Sequence, residues 1–189
     1  MQLLTEAGVA VPPTVLLKHP LSVTSAIREV GGLPVVFKPL QGAQGMGVFR
    51  IQSEADADSL VGLGWEWNQP CIIQKFYPEA VGEDFRFIVI GGQIIAAMRR
   101  KAKKGEWRSN FHRGGKGYPY SPTKAEERLA KKAAKAIGLN FCGVDMLKTN
   151  DGPVIVEVNA SPGLKLISRT TGVNVAGELV GFIEGKVID

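Results

Sequence analysis

The sequence predicts an α+β fold, with antiparallel hairpins and helices that pack beside them. Three observations lead there. β-rich runs flank tight turns at Gly91-Gly92 and Asn150-Asp151-Gly152, so each pair of runs closes antiparallel. Strands also flank the glycine-rich stretch "QGAQGMG", residues 41–47, making a third hairpin with a flap at its tip. The clearest helix, "KAEERLAKKAAKAIGL", follows Ser121-Pro122-Thr123 and carries Leu129, Ala133, Ala136 and Ile137 at helical spacing.

The remaining elements follow in chain order. Residues 2–8 read as the end of a helix stopped by Gly8, and "VAVPPTVLL" after them is extended. Ser22 or Thr24 can cap a helix over 25–30, which Gly31-Gly32 ends. "PVVFKPL" and "VFRI" are the strands beside the flap. Ser53 caps the next helix, whose acidic first turn "EADAD" suits the positive end of its dipole. Trp65 and Trp67 read as packing residues in a polar linker. "PCIIQKFY" is a strand, "DFRFIVIGGQIIAAMRRKA" a strand pair, and a C-terminal helix is expected over 175–184.

The 189 residues suffice for one compact domain or two small lobes, and 44% hydrophobic content supports a core. No apolar run approaches the ~20 residues of a membrane span, and no signal-peptide pattern is present, so a cytoplasmic protein without a membrane partner is expected. Cys71 and Cys142 are too far apart in sequence to indicate a zinc site or a disulfide framework. The net charge of +5 would suit an anionic ligand, and a solvated basic surface explains it equally well. The basic residues are concentrated between Arg99 and Lys116, where Gly105, Gly114, Gly115 and Gly117 predict a flexible loop. The same stretch contains Trp107, Ser109, Asn110, Phe111 and His112, which offer stacking and hydrogen bonds.

The last hairpin carries the most chemistry. If Thr149 sits opposite Pro153, counting outward sets Asp145 opposite Glu157, and Asn159 shares the face of Glu157. Opposed side chains of this kind have Cβ atoms roughly 5 Å apart, and like charges there repel. Such a cluster in apolar surroundings must hold a proton or a cation. Mg²⁺ or Mn²⁺ suits hard oxygen ligands. The alternative is that both carboxylates face solvent on an edge hairpin. Gly42, Gly45 and Gly47 have neither the dinucleotide-binding spacing nor the Lys-Ser/Thr of a P-loop. Backbone N–H groups of such a flap can cradle phosphates. Lys38, in the otherwise apolar "VVFKP", then either meets an anion or snorkels from a strand edge.

"VVFKPLQGAQGMGV", "IIQKFY", "GEDFRFIVIGG", "EWRSNFHRGG", "GVDML" and "VIVEVNASPG", in this order, resemble the ATP-grasp superfamily. Within it they look most like the ribosomal-protein α-L-glutamate ligases, with "RSNFHRGG" tilting the likeness that way. The resemblance implies an ATP-grasp fold of two α/β subdomains whose antiparallel sheets enclose an ATP site. The small subdomain, with the flap, would span residues 1–80, and the large one, with the metal site, residues 81–189. It implies that Lys38 contacts the ATP phosphates under Gly42, Gly45 and Gly47. Gln74, Lys75 and Phe76 would lie at the hinge where backbone groups read adenine, with Lys75 at a position commonly acidic in relatives. Asp84 would contact the nucleotide, and Arg108, Ser109 and Asn110 would line the ATP and acceptor site. Asp145, Glu157 and Asn159 match the metal ligands, for Mg²⁺ or Mn²⁺, two ions in all. Members of the family carry a further α/β domain ahead of this region, so the likeness is to the ATP-grasp part alone.

The implied activity is an ATP-dependent carboxylate–amine ligase that adds glutamate or a similar amino acid to the C-terminus of a protein or peptide, a ribosomal protein among the candidates. Arg86 and Arg108 are the candidate catalytic residues, holding the acceptor carboxylate and developing phosphate charge, with Arg99 and Arg113 as further choices. His112 is a candidate proton acceptor without an assigned role. Alternatives are a ligase for an amino-acid-biosynthesis carrier protein or a cofactor, and a nucleotide-binding module without full ligase activity. A nucleic-acid-binding module is ranked last for want of an RNA-binding signature. A homo-oligomer is compatible with all of these.

Overall fold

The computed structural model describes residues 1–17, 23–41, 46–109 and 114–187. They form two compact units, one of residues Pro12–Pro78 and one of Met1–Val11 with Glu79–Asp189.

In the first unit the strands are β1 (Thr14–Leu17), β2 (Val35–Pro39), β3 (Phe49–Ile51) and β4 (Cys71–Lys75). They pair antiparallel in the order β1-β4-β2-β3. Alternation sends Val35, Phe37, Ile51, Cys71 and Ile73 to one face. There they form a core with Val23, Ala26 and Ile27 of α1 (Val23–Glu29) and Ala57 and Val61 of α2 (Glu54–Glu66). Because each strand's alternate residues point the other way, Thr14, Val36, Lys38, Arg50, Ile72 and Gln74 share the opposite face. The Ser53 hydroxyl accepts the Asp56 N–H at 3.1 Å and caps α2. Sequence reading ended that helix too early. It runs through Trp65, and Asn68 stops it at φ +50 in place of a glycine, so Trp65 and Trp67 belong to the helix end, 52% and 68% exposed, rather than to a linker.

The second unit holds a five-stranded antiparallel sheet of β5 (Glu83–Ile90), β6 (Gln93–Lys101), β7 (Lys116–Pro119), β8 (Phe141–Thr149) and β9 (Gly152–Asn159), in the order β7-β6-β5-β8-β9. One face buries Phe85, Phe87, Val144, Met146 and Ile155 against Ala130, Ala133 and Ala134 of α3 (Lys124–Ile137). Leu4, from the N-terminal α4 (Gln2–Glu6), and Val9 join this core, so the first eleven residues pack with the C-terminal unit. The other face buries Ile88, Ile90, Ala96 and Met98 with Ile167 of α5 (Lys165–Thr171) and Val175 of α6 (Val175–Val187). Arg99, Arg100 and Lys101 belong to β6, and Lys116 opens β7, which shortens the expected basic loop from both ends. α5 and β7 were not anticipated, because seven and four residues are too few for a periodic signal.

The helix α3 opens with a full capping box: Thr123 accepts the Glu126 N–H, and Glu126 accepts the Thr123 N–H at 2.8 Å. The same carboxylate accepts from the Tyr120 hydroxyl at 2.7 Å and pairs with Lys148 at 2.7 Å. Burial raises the affinity of Glu126 for a proton, but the hydrogen bonds from Lys148, Thr123 and Tyr120 outweigh it and hold the carboxyl below its ordinary value. Thr123→Ala removes one partner of the box and is expected to lower unfolding free energy by about 1 kcal/mol in urea melts. Among the described residues no helix is long and apolar enough to cross a membrane.

Candidate functional site

Two bulges build the polar end of the five-stranded sheet. In the β8–β9 hairpin Thr149 pairs with Gly152, one residue tighter than expected, and Val156 then bulges so that Asp145 faces Glu157 after all. In the β5–β6 hairpin Ile95 is the extra residue, and beyond it Asp84 pairs with Arg100 and Arg86 with Met98. Arg86 also pairs with Asp145, so Arg86, Asp145 and Glu157 form one row across three strands.

The row is ionic and buried at its centre. Asp145 is 3% exposed. Arg86 donates to it through Nε at 2.7 Å and Nη2 at 2.6 Å, and Arg100 Nη2 donates to Asp145 Oδ2 at 2.8 Å. Arg100 also grips both oxygens of Asp84 at 2.6 Å. Burial pushes the Asp145 carboxyl up, yet the charges of Arg100 and Arg86 overcome it and hold the group at about 2. For Arg100 burial disfavours the charge, and Asp145 and Asp84 more than restore it, so the guanidinium stays protonated. Two acids and two bases thus make a neutral buried cluster, an arrangement that holds geometry rather than supplying much net stability.

Beside it, Glu157 is exposed, and Asn159 Oδ1 accepts the Ser161 N–H at 2.8 Å, which folds back the "NASPG" loop. Gly143, the partner of Asn159, admits that loop: a Cβ there would stand 2.8 Å from Pro162 Cβ. No group of three or more His, Cys, Asp or Glu gathers among the described residues. A divalent cation would therefore depend on Asp145, Glu157 and Asn159 with phosphate and water oxygens. The donor chemistry fits. Among the described residues Asp145 Oδ1 accepts only from Arg86 Nε, and Asn159 Oδ1 accepts one N–H, so each keeps a lone pair for a hard cation.

The other expected residues are distributed as follows. Lys38 donates to Gln74 Oε1 at 2.6 Å on the face of the four-stranded sheet opposite the α1–α2 core. Lys75 gives its N–H to Pro13 O at 2.9 Å and its ammonium lies 5.1 Å from the Tyr77 ring centre. Arg50 stands 5.6 Å over the ring of Phe76, which is 9% exposed. Gly47 has φ +72, and a Cβ there would meet Pro39 Cγ at 2.9 Å. Asp84 accepts from Arg100 Nε and Nη2, each at 2.6 Å. Arg108 forms a fork with Glu106, through Nε and Nη2 at 3.0 Å each, and stacks 5.3 Å from the Trp107 ring. The side-chain bond from Arg108 is the main cause holding the Glu106 carboxyl at about 2. Ser109 is buried. Gly42, Gly45 and Asn110 lie outside the described residues, as do His112 and Arg113.

Arg99, a sequence candidate for carboxylate binding, pairs with Phe85 on the face of the sheet opposite Asp145, 3.8 Å from Glu83 and over Tyr118. Arg100, which sequence reading left in the basic run, takes the central place. Burial pushes both cysteine thiols up to about 11, so neither is a ready nucleophile.

The architecture matches solved ATP-grasp proteins. A RimK domain ATP-grasp protein from Sphaerobacter thermophilus superposes with a TM-score of 0.73 at 25% identity, over 96% of this chain and 64% of that one. A D-alanine–D-alanine ligase from Bacillus anthracis, solved with ATP, gives 0.73 at 18% identity over 97% of this chain and 62% of its own, a likeness of fold alone. The molecule is thus an ATP-grasp fold. More narrowly, the chain belongs to the RimK-like ATP-grasp domain family, whose model matches residues 1–183. Among its relatives, a probable alpha-L-glutamate ligase of Thioalkalivibrio sulfidiphilus is 47% identical over 184 residues, and one of Vibrio parahaemolyticus is 44% identical over 184. The chain spans 61% of the length of each, with 97% of its own length matched.

Proposed function

We propose that this chain is the nucleotide-binding part of an ATP-dependent carboxylate–amine ligase that joins glutamate to the C-terminal carboxylate of a protein or peptide. The observation that carries the reading is the buried Asp84–Arg100–Asp145–Arg86 cluster beside Glu157 and Asn159. It sets hard oxygen ligands and cationic groups side by side, which a triphosphate and its counterion need. Family membership and the names of the relatives support the same chemistry.

A carboxylate is a poor acyl donor. In the proposed reaction its oxygen attacks the γ-phosphorus of ATP, the bond to the β-phosphate oxygen breaks, and ADP leaves an acyl phosphate. The glutamate amine then attacks the carbonyl carbon, inorganic phosphate departs with the bonding pair, and the amine proton passes to solvent. Asp145, Glu157 and Asn159 would hold Mg²⁺ or Mn²⁺, which neutralises phosphate charge when bound. Lys38 binds phosphate oxygens. Arg86, fixed by Asp145, presents a guanidinium edge to the acceptor carboxylate or the transferred phosphoryl group. Asp145 keeps Arg86 in one rotamer, and Arg100 keeps Asp145 in one rotamer. Arg108 serves only if its fork with Glu106 opens.

The test is release of ADP and phosphate with ATP, Mg²⁺ and glutamate, with and without peptides ending in a free carboxylate, and product masses read by mass spectrometry. A gain of one glutamate residue on the peptide supports the proposal. Nucleotide binding with no turnover on any acceptor refutes the ligase reading.

A further inference from the structure

The face of the four-stranded sheet opposite the α1–α2 core contains a directional hydrogen-bond chain with one consistent arrangement of donors and acceptors. Thr14, Gln74 and Val36 lie in one cross-strand row on β1, β4 and β2, and Lys38, two residues beyond Val36, is the diagonal neighbour of Gln74. The Thr14 hydroxyl donates to Pro12 O at 2.8 Å, so its lone pairs are what Gln74 meets. Gln74 Nε2 donates to Thr14 Oγ1 at 2.8 Å. Its Oε1 is then turned to Lys38, whose ammonium donates to it at 2.6 Å. An ammonium can only donate and a threonine whose proton is committed can only accept, so the Gln74 amide has one satisfactory orientation. Gln74 is 2% exposed, and reversing its amide would bury two mismatched polar contacts.

We propose that Gln74 is a positioning residue that aims the Lys38 ammonium at nucleotide phosphates, anchored through Thr14. This rests on the nucleotide reading above and assigns Gln74 to the phosphate end of the ligand instead of the adenine edge. An amide suits the task because it orients an ammonium without cancelling its charge. A carboxylate in the same place would form an ion pair with Lys38 and compete with the phosphates.

The experiment is titration calorimetry of the full chain with ATP, ADP and AMP in Mg²⁺ buffer, on the native protein and on Gln74→Glu, Gln74→Met, Thr14→Val, Thr14→Ser and Lys38→Ala. Circular dichroism melts confirm that each is folded. Gln74→Glu should weaken ATP and ADP by about tenfold or more, the value of a charge-assisted bond, while AMP changes by less than about twofold. Gln74→Met, which keeps the volume without a charge, should show the same selectivity if the carboxylate variant does not fold. Thr14→Val should repeat the pattern more weakly, and Thr14→Ser should restore native binding. Equal weakening of AMP and ATP would place Gln74 at the adenine and overturn the proposal. So would unchanged ATP affinity in both Gln74 variants while Lys38→Ala weakens it. If Lys38→Ala itself leaves ATP binding intact, the nucleotide reading of Lys38 fails first.

Discussion

Arg100→Met is expected to lower the unfolding free energy by about 3–5 kcal/mol, the range for stripping one partner from a buried ion pair. Methionine can fill much of the space of the arginine stem. It cannot donate to the two carboxylates that share the guanidinium, Asp84 at 2.6 Å and Asp145 at 2.8 Å. Arg86 still serves Asp145, whereas Asp84 loses its side-chain partner among the described residues. The cost should therefore reside mainly in Asp84, and adding Asp84→Asn to Arg100→Met should recover part of it. Urea denaturation at neutral pH, followed by circular dichroism, measures both. A loss under about 1 kcal/mol would mean that water reaches the cluster and screens it.

For the proposed ligase reaction, Asp145→Asn is expected to lower glutamate-dependent ADP release by about 100-fold or more, comparable to losing a preorganised electrostatic group. The amide removes the charge that fixes Arg86 and Arg100 and, in the proposed site, weakens a ligand for the cation. Its effect on stability depends on pH with a definite sign. The Asp145 carboxyl is held at about 2, below its ordinary 3.8, so the ionised form is favoured in the folded state. Its contribution is complete above 3.8 and is lost as pH falls through about 2. The stability gap between the native protein and D145N should stay level from neutral pH down to about 4 and then close toward pH 2. A gap independent of pH across that window would show that the carboxylate is not the source of the difference.

Much of the candidate site was legible in residue order because strand chemistry is periodic. An ammonium in "VVFKP" and acids in "GVDML" and "VIVEVN" interrupt runs that otherwise favour burial, and such interruptions need a ligand or an ion pair. The helix over Lys124–Ile137 was equally plain, since its cap, periodicity and terminal Gly138 at φ +75 agree with one another. Trp65 and Trp67 misled because aromatic residues are usually buried, and nothing local reveals that the helix would run to Asn68 and leave both more than half exposed.

The pairing of charges was beyond the reach of counting. From the Gly91-Gly92 turn, an unbroken register places Arg99 opposite Asp84, whereas the bulge at Ile95 places Arg100 there. In the last hairpin a tighter turn and a bulge at Val156 offset each other, and Asp145 still meets Glu157. Sequence alone determined eight of the nine strands, β7 excepted, the turns that close the two long hairpins, and that lysine, acids and an amide occur where apolar residues would pack better. Only the tertiary structure decided which arginine holds those acids. One bulged residue transfers every later side chain to the other face, and the choice is made by how both faces of the sheet bury their apolar residues at once.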